Sequence, residues 1–387
     1  MNRFLLIDFG ASFVKYAFFT KNTNTFYNVG QHPSSSISNG EINIDELQKL
    51  FNVIALSDEY DAILICSQMH GFALKKNATF LTNYISWMKQ LPIKNKKEYH
   101  NINGIYSFDG IPIYNVKQLS KNRKVKFVSL TETLCDSKCV HNTLFCGSGF
   151  YDVKNNIISK KIVNDINKNL IFNDVVSSFE ISGYFNNKPV YCGFGDLQCS
   201  LYGSRLKAHQ LSINIGTGSQ ISIINDTIYK KTENRNYFDN LYLNTITHIP
   251  SGRSLNTFIN FLNQINKQDY FSILNNISMK QILNSDLNID LNVFGGMTGS
   301  ITNITETNFT NDNFYAALLK SFIEQYLKLI LLNFKSKYNS IILSGGISYR
   351  IPIIKEYIQE KLNTPVICNE TNIQNTIIGL SLLSQKL

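Results

Sequence analysis

The sequence predicts an α/β protein made of two similar halves, and three observations carry that reading. The chain opens on an apolar strand, a small-residue turn and a second strand, FLLIDFGASFVKYAFF. The same arrangement returns at residues 211–224 as LSINIGTGSQISII. After each hairpin, helical and strand patterns alternate, as expected of βα units on a shared sheet. A pattern repeated in register points to duplication of one unit. At 387 residues the chain fits two domains, each large enough to bury an interior. We place the boundary near Leu206, giving 1–205 and 206–387.

Each element has its own warrant. In the first hairpin, β-branched and aromatic residues flank a turn at 10–12. Residues 44–54 form an amphipathic helix with Asp45 and Glu46 in its first turn, and 62–66 a short buried strand. Residues 157–170 have a helical pattern. The apolar run PVYC then leads into CGFGDLQCSLYG, which sets Asp196 between the end of a strand and the start of a helix. In the second half the turn spans 216–219, residues 254–266 and 312–334 are helical, and 340–343 form a buried strand running into SGGIS. A helix at 351–362, a strand at Val366 and a helix at 373–387 complete the run of βα units.

Composition narrows the function. A hydrophobic content of 43% without any apolar run approaching the roughly 20 residues of a membrane span predicts a soluble protein. The N-terminus enters a strand at once, and Asp8 interrupts it before a signal-peptide core forms, so a cytoplasmic location is expected. Seven scattered cysteines form no framework and suit reduced thiols. Cys135, Cys139, His141 and Cys146 are near in sequence, but their spacing matches no common zinc module, which favours ordinary buried thiols. The net charge of +9 is spread along the chain in short clusters such as 94–97 and 121–126, without interleaved aromatics. A solvated basic surface that tolerates anionic substrates accounts for it better than nucleic-acid binding.

The chemistry converges on one cleft. Two hairpins with small-residue turns, facing each other, can present backbone N–H groups to phosphate oxygens from both sides. Each turn alone is no more than turn geometry, but the repeat in register is stronger. Asp8, at the end of the first strand, suits a hydrated magnesium ion, which needs few carboxylates; otherwise it caps the turn. Gly345-Gly346 follows a buried strand and precedes a helix, allowing a purine or ribose close approach, though a tight βα loop reads the same way. An ionised Asp196 in apolar surroundings costs several kcal/mol unless paired or set in a cleft. In phosphoryl transfer one carboxylate orients the attacking hydroxyl and accepts its proton, and Asp196 fits that role.

These residues resemble the FGGY carbohydrate kinases. Asp8-x-Gly-x-Ser-x-x-Lys15 is similar to that family's first phosphate motif, SQMHG at 67–71 to its sugar-binding strand end, and Gly-Asp-x-Gln at 195–198 to the segment holding the catalytic aspartate. Gly216-Thr217-Gly218 looks like the second phosphate loop and SGGIS at 344–348 like the adenosine loop. The five motifs come in the family's order across nearly the whole chain. Within the family the chain most resembles sedoheptulokinase, through GDLQCSLYG, Ser219-Gln220, YLNTITHIPSGRSLN and SITNIT.

The resemblance implies a two-domain actin-like ATPase (ribonuclease H-like) fold with duplicated mixed-sheet halves around a cleft. It implies ATP and Mg2+ as cofactors, with Asp196 deprotonating the terminal hydroxyl of a ketose, sedoheptulose first. It places Gln68, Met69, His70 and Trp87 at the sugar, and Gly10, Ser12, Lys15, Gly216, Thr217 and Gly218 around the ATP phosphates. Gly252, Gly345 and Gly346 would line the nucleotide, and Asp8 and Asp196 would face the metal. A monomer or homodimer acting on small molecules, without nucleic acid or membrane, completes the expectation. Three departures stand out: Trp87 is followed by Met88 and Lys89 where the family has an acid or amide contacting the sugar, the chain is shorter than the family leads one to expect, and the Gly-Glu-Arg of relatives is missing from FGGMTGSITN. They leave open another sugar, such as xylulose or a modified heptose, and a non-catalytic binding protein on the same fold.

Overall fold

The computed structural model describes residues 1–34, 39–89, 91, 97–216, 218–293, 297–335, 337–368 and 373–387. Its first sheet runs in the order Ile181–Phe185, Lys188–Tyr191, Ala62–Ser67, Arg3–Phe9, Phe13–Thr20, Thr25–Pro33, with Phe194–Gly195 also pairing beside Ala62–Ser67. The second runs Glu233–Asn236, Tyr242–Ile249, Ser219–Asn225, Gln210–Ile215, Ser340–Ser344, Val366–Cys368. In both, the opening strand pairs antiparallel with its hairpin partner and parallel with a third strand. The duplication seen in the sequence is therefore a duplication of sheet topology. The registers correspond too: Asp8 lies opposite Lys15 and Cys66, and Asn214 opposite Gln220 and Ser344. The two strongest charges of the first hairpin are thus amides in the second.

The central strands read as continuous apolar runs because both of their faces are covered. Leu5, Ile7 and Phe9 pack into one core with Leu47, Phe51 and Ile54 of the helix Ile44–Ala55, whose N-cap Asn43 accepts from the Asp45 and Glu46 N–H groups. Phe4 and Leu6 face the other way, into a core shared with Leu197, Cys199 and Leu201 of the helix Asp196–Gly203 and with Ile377, Leu380 and Leu383 of the helix Asn375–Ser384. The period-2 alternation of a strand puts Asp8 on this second face. That parity brings Asp8 beneath the N-termini of both helices.

The C-terminal helix departs from the expected run of βα units. It packs chiefly on the Asp196 helix and also on the Arg3–Phe9 strand, in a core that includes Ile224, Leu243 and Ile342 of the second sheet. Ile377, Leu380 and Leu383 are buried together with Ser381 and Ser384, as a helix covered on several sides requires. Gly203 and Gly379 permit the crossing: a Cβ on Gly203 would meet the Asn375 carbonyl oxygen at 1.9 Å, and one on Gly379 the Cys199 carbonyl oxygen at 2.0 Å. The helix expected at 157–170 is shorter, Lys160–Asn167, because Ile157–Ile158 and Leu170–Ile171 are strand residues. The second half has its own core, where Leu211, Ile213, Ile215, Ile341 and Leu343 pack on Phe322 and Tyr326 of the helix Asn311–Asn333. Among the described residues no helix is long and apolar enough to cross a membrane.

Candidate active site

Between the two sheets lies a cleft of about 720 Å³, within the range of small-molecule sites. Asp8, Gly10, Lys15, Gln68, Met69, His70, Trp87, Asp196, Gly345 and Gly346 all line it. Residues drawn from motifs spread over the whole chain therefore meet at one place. Gly216 and Gly218 form the turn between Asn214 and Gln220, which line the wall contributed by the second half. Gly252 sits behind that turn, its N–H donated to the Gly216 carbonyl at 3.1 Å, and supports the loop instead of lining the cleft. Ser12 lies in the exposed first turn, where its carbonyl accepts from the Ser34 N–H at 3.0 Å. Thr217 falls outside the described residues.

Asp8 is buried and well provided with partners. Its Oδ2 accepts from Thr376 Oγ1 at 2.7 Å and faces Lys15 Nζ at 3.8 Å, while Cys66 Sγ donates to Oδ1 at 3.7 Å. Lys15 also donates to Gln374 Oε1 at 3.3 Å, so the start of the C-terminal helix is tied to the first hairpin through both charges. Burial pushes the Asp8 pKa up, against the pull of Lys15 and the two hydrogen bonds. We expect Thr376→Val to lower stability at pH 7 by about 1–3 kcal/mol, since a buried charged acceptor loses its donor. The loss should shrink as the pH falls and Asp8 takes up its proton, which urea unfolding at two pH values would read.

Asp196 begins its helix, and its Oδ1 accepts from the Leu197 N–H at 2.8 Å. Its pKa is pushed up to about 7, by burial first and by the Asp8 charge second, against the Leu197 N–H and the Arg235 charge. A carboxylate poised near neutral pH and open to a cleft is matched to accepting a proton. Gln198, two residues on, ties the halves together by donating Nε2 to the Thr143 and Asn236 carbonyls, each at 3.1 Å.

The adjoining wall is rich in acceptors. Gln68 Oε1 is buried and has no partner among the described residues. His70 holds φ at +61°, a region bulky residues rarely occupy, and its Nδ1 lies 2.7 Å from the Gly147 carbonyl. A carbonyl can only accept, so Nδ1 carries the proton. Burial and the Arg235 charge lower the pKa of His70 to about 3, which keeps the ring neutral and leaves Nε2 a bare acceptor. Phe108 packs edge-on against His70 at 5.3 Å between ring centroids, and against His248 at 5.7 Å. Lys89, the departure noted after Trp87, turns away to pair with Glu41 at 3.1 Å and does not line the cleft.

Arg235, Phe108, His248 and Thr376 line the same cleft without having been singled out in the sequence. Arg235 stands in Glu233–Asn236, four polar residues that are all buried, and such a strand gives no apolar pattern to read.

Solved structures that share this architecture include carbohydrate kinases. A xylulose kinase from Lactobacillus acidophilus, in a ligand-bound structure, aligns with a TM-score of 0.81 at 15% identity over 100% of this chain and 89% of its own. The chain has the fold of these kinases. A gluconate kinase from Lactobacillus acidophilus gives a TM-score of 0.82 at 15% identity, covering 99% of this chain and 89% of its own. A Plasmodium falciparum glycerol kinase with ADP gives 0.80 at 15% identity over 99% and 89%. No family model matches the sequence, and no curated protein matches it.

Proposed function

We propose that the chain is an ATP-dependent sugar kinase that phosphorylates a terminal hydroxyl of a ketose, with Asp196 as general base. The observation that carries this reading is Asp196 itself, a carboxylate with its pKa near 7 in a cleft that Gly10 lines from the first half and Gly345 and Gly346 from the second. In the proposed step Asp196 takes the proton of the substrate hydroxyl, its oxygen forms a bond to the γ-phosphorus of ATP, and the bond from that phosphorus to the bridging oxygen breaks to release ADP. The first half, 1–205, carries the sugar wall and the base, and the second, 206–387, the nucleotide wall.

Lys15 and the turns at Gly10 and Gly216–Gly218 are the groups we assign to the phosphates, with the Gly10 and Gly216 N–H groups held inside those turns by the Phe13 and Gly218 carbonyls. The residues also fit a magnesium ion. Asp8 and Asp196 are near enough for the charge of one to raise the pKa of the other, a repulsion that a cation would relieve. Among the described residues no group of three or more His, Cys, Asp and Glu could hold a metal ion. A hydrated magnesium ion shared with phosphates needs only one or two carboxylates. Bound there, it would supply positive charge to the transferring phosphoryl group.

Sedoheptulose is the substrate that the sequence resemblance names, and xylulose, gluconate and glycerol are those of the similar structures. Gln68 Oε1, His70 Nε2 and Asp196 offer acceptors to several hydroxyl protons, which favours a polyhydroxylated substrate over a glycerol-sized one. ADP release from Mg-ATP with sedoheptulose, xylulose, ribulose, fructose and glycerol tests the reading. Selective sugar-dependent turnover is expected, and none with any ketose or polyol would overturn it. Trp87 lines the cleft. Trp87→Ala should therefore raise KM for the sugar about tenfold and leave KM for ATP unchanged, as loss of a stacking face would.

A further inference from the structure

We infer that the Arg235–Glu233 ion pair is a specificity device that selects an uncharged polyol and rejects sugar acids. The inference rests on the sugar-kinase reading and deepens it. Arg235 belongs to the second sheet, yet it reaches across the cleft to the sugar wall: Nη1 donates to Met69 Sδ at 3.3 Å and Nη2 to Glu233 Oε2 at 2.9 Å. Both side chains of the pair are buried, with 7% and 4% of their surface exposed. Arg235 influences His70 and Asp196 electrostatically, so it stands close to the proposed sugar and base.

Its bonding is unsaturated. A guanidinium carries five N–H groups, and among the described residues two have partners, one of them a thioether, which is a weak acceptor, while the buried Nε has none. The remaining donors complement a wall whose other groups accept, so a hydroxyl oxygen of the substrate can receive from Arg235 while its proton goes to Gln68 or His70. The acid or amide expected after Trp87 is absent, and Arg235 supplies a polar contact from the opposite half.

Glu233 decides the class of ligand. A lone buried arginine would attract a carboxylate, but this one is already neutralised, and a sugar acid entering beside Asp8 and Asp196 would meet like charges without an unpaired cation to answer them. Specificity here comes from rejection as much as from attraction.

Calorimetric binding of xylulose and of gluconate, each without ATP, tests the pair. The wild type should bind xylulose at least about tenfold more tightly, a discrimination of the size one polar contact supplies. Glu233→Gln should move the ratio about tenfold or more toward gluconate, and the double variant Glu233→Gln/Arg235→Met should cancel that gain. Gluconate bound as well as xylulose by the wild type, no binding of either, or an unchanged ratio in a Glu233→Gln protein of wild-type unfolding midpoint would overturn the inference. Should Glu233→Gln fail to fold, Arg235→Lys decides: loss of the planar fork should weaken xylulose binding about tenfold, and unchanged binding would overturn the inference. Xylulose bound with the predicted preference, but no phosphorylation of it or of any other ketose or polyol on adding Mg-ATP, would refute the kinase reading and leave the selectivity standing.

Discussion

Asp196→Asn is expected to lower sugar-dependent ADP release by about 10²- to 10⁴-fold, the contribution of a positioned general base. The wild-type pH profile should carry the same signature. With the Asp196 pKa near 7, kcat/KM for the sugar should fall about tenfold per pH unit below 7 and level off above it, because only the ionised form accepts a proton. A second consequence has the opposite sign. The folded pKa of Asp196 lies above the ordinary carboxylate value of 3.8, so folding opposes its ionisation. The resulting destabilisation is absent below about pH 4, grows between 4 and 7, and is complete above 7. Asp196→Asn should accordingly raise the unfolding midpoint at pH 8 and change it little at pH 4. A variant that is both inactive and less stable at pH 8 would mean that Asp196 holds the fold together and is no base.

Asp8→Asn should produce the next largest loss, about 10²- to 10³-fold, together with a higher magnesium requirement, because the positive charge at the transferring group is worth several kcal/mol. It should also displace the acid limb of the pH profile downward, since the Asp8 charge is one of the causes that raise the Asp196 pKa. A purely structural Asp8 would lower activity without raising the magnesium requirement. Rates measured against magnesium concentration separate the two.

Much of this site was legible in the sequence because its parts leave local signatures. A strand that must carry one acid toward a cleft shows it as the single break in an apolar run, as Asp8 does in RFLLIDF. A backbone that must approach a ligand or a neighbouring strand shows glycine, as at Gly345, where φ is +101° and a Cβ would meet the Ile215 carbonyl oxygen at 2.3 Å. Asp196 stood out as a charge between a buried strand and a helix. What the sequence withheld depends on long-range packing. Thr376 lies 368 positions from the carboxylate it supports, on a helix whose placement follows from the Gly203 and Gly379 contact. Arg235 is hidden in ENRN, whose polarity reads as loop although each of its residues is buried in a sheet. Lys89 shows the reverse: the sequence marked a substitution beside Trp87, and the pairing with Glu41 takes its charge out of the cleft.

We propose that phosphoryl transfer to a sugar hydroxyl takes place at Asp196. Phosphorus NMR of the wild-type protein with Mg-ATP and a panel of neutral ketoses and polyols tests it most directly. A phosphate monoester of one of these substrates is expected, formed one-to-one with ADP and absent with Asp196→Asn. ADP accompanied only by inorganic phosphate, or a monoester formed equally well by the Asn variant, would contradict it.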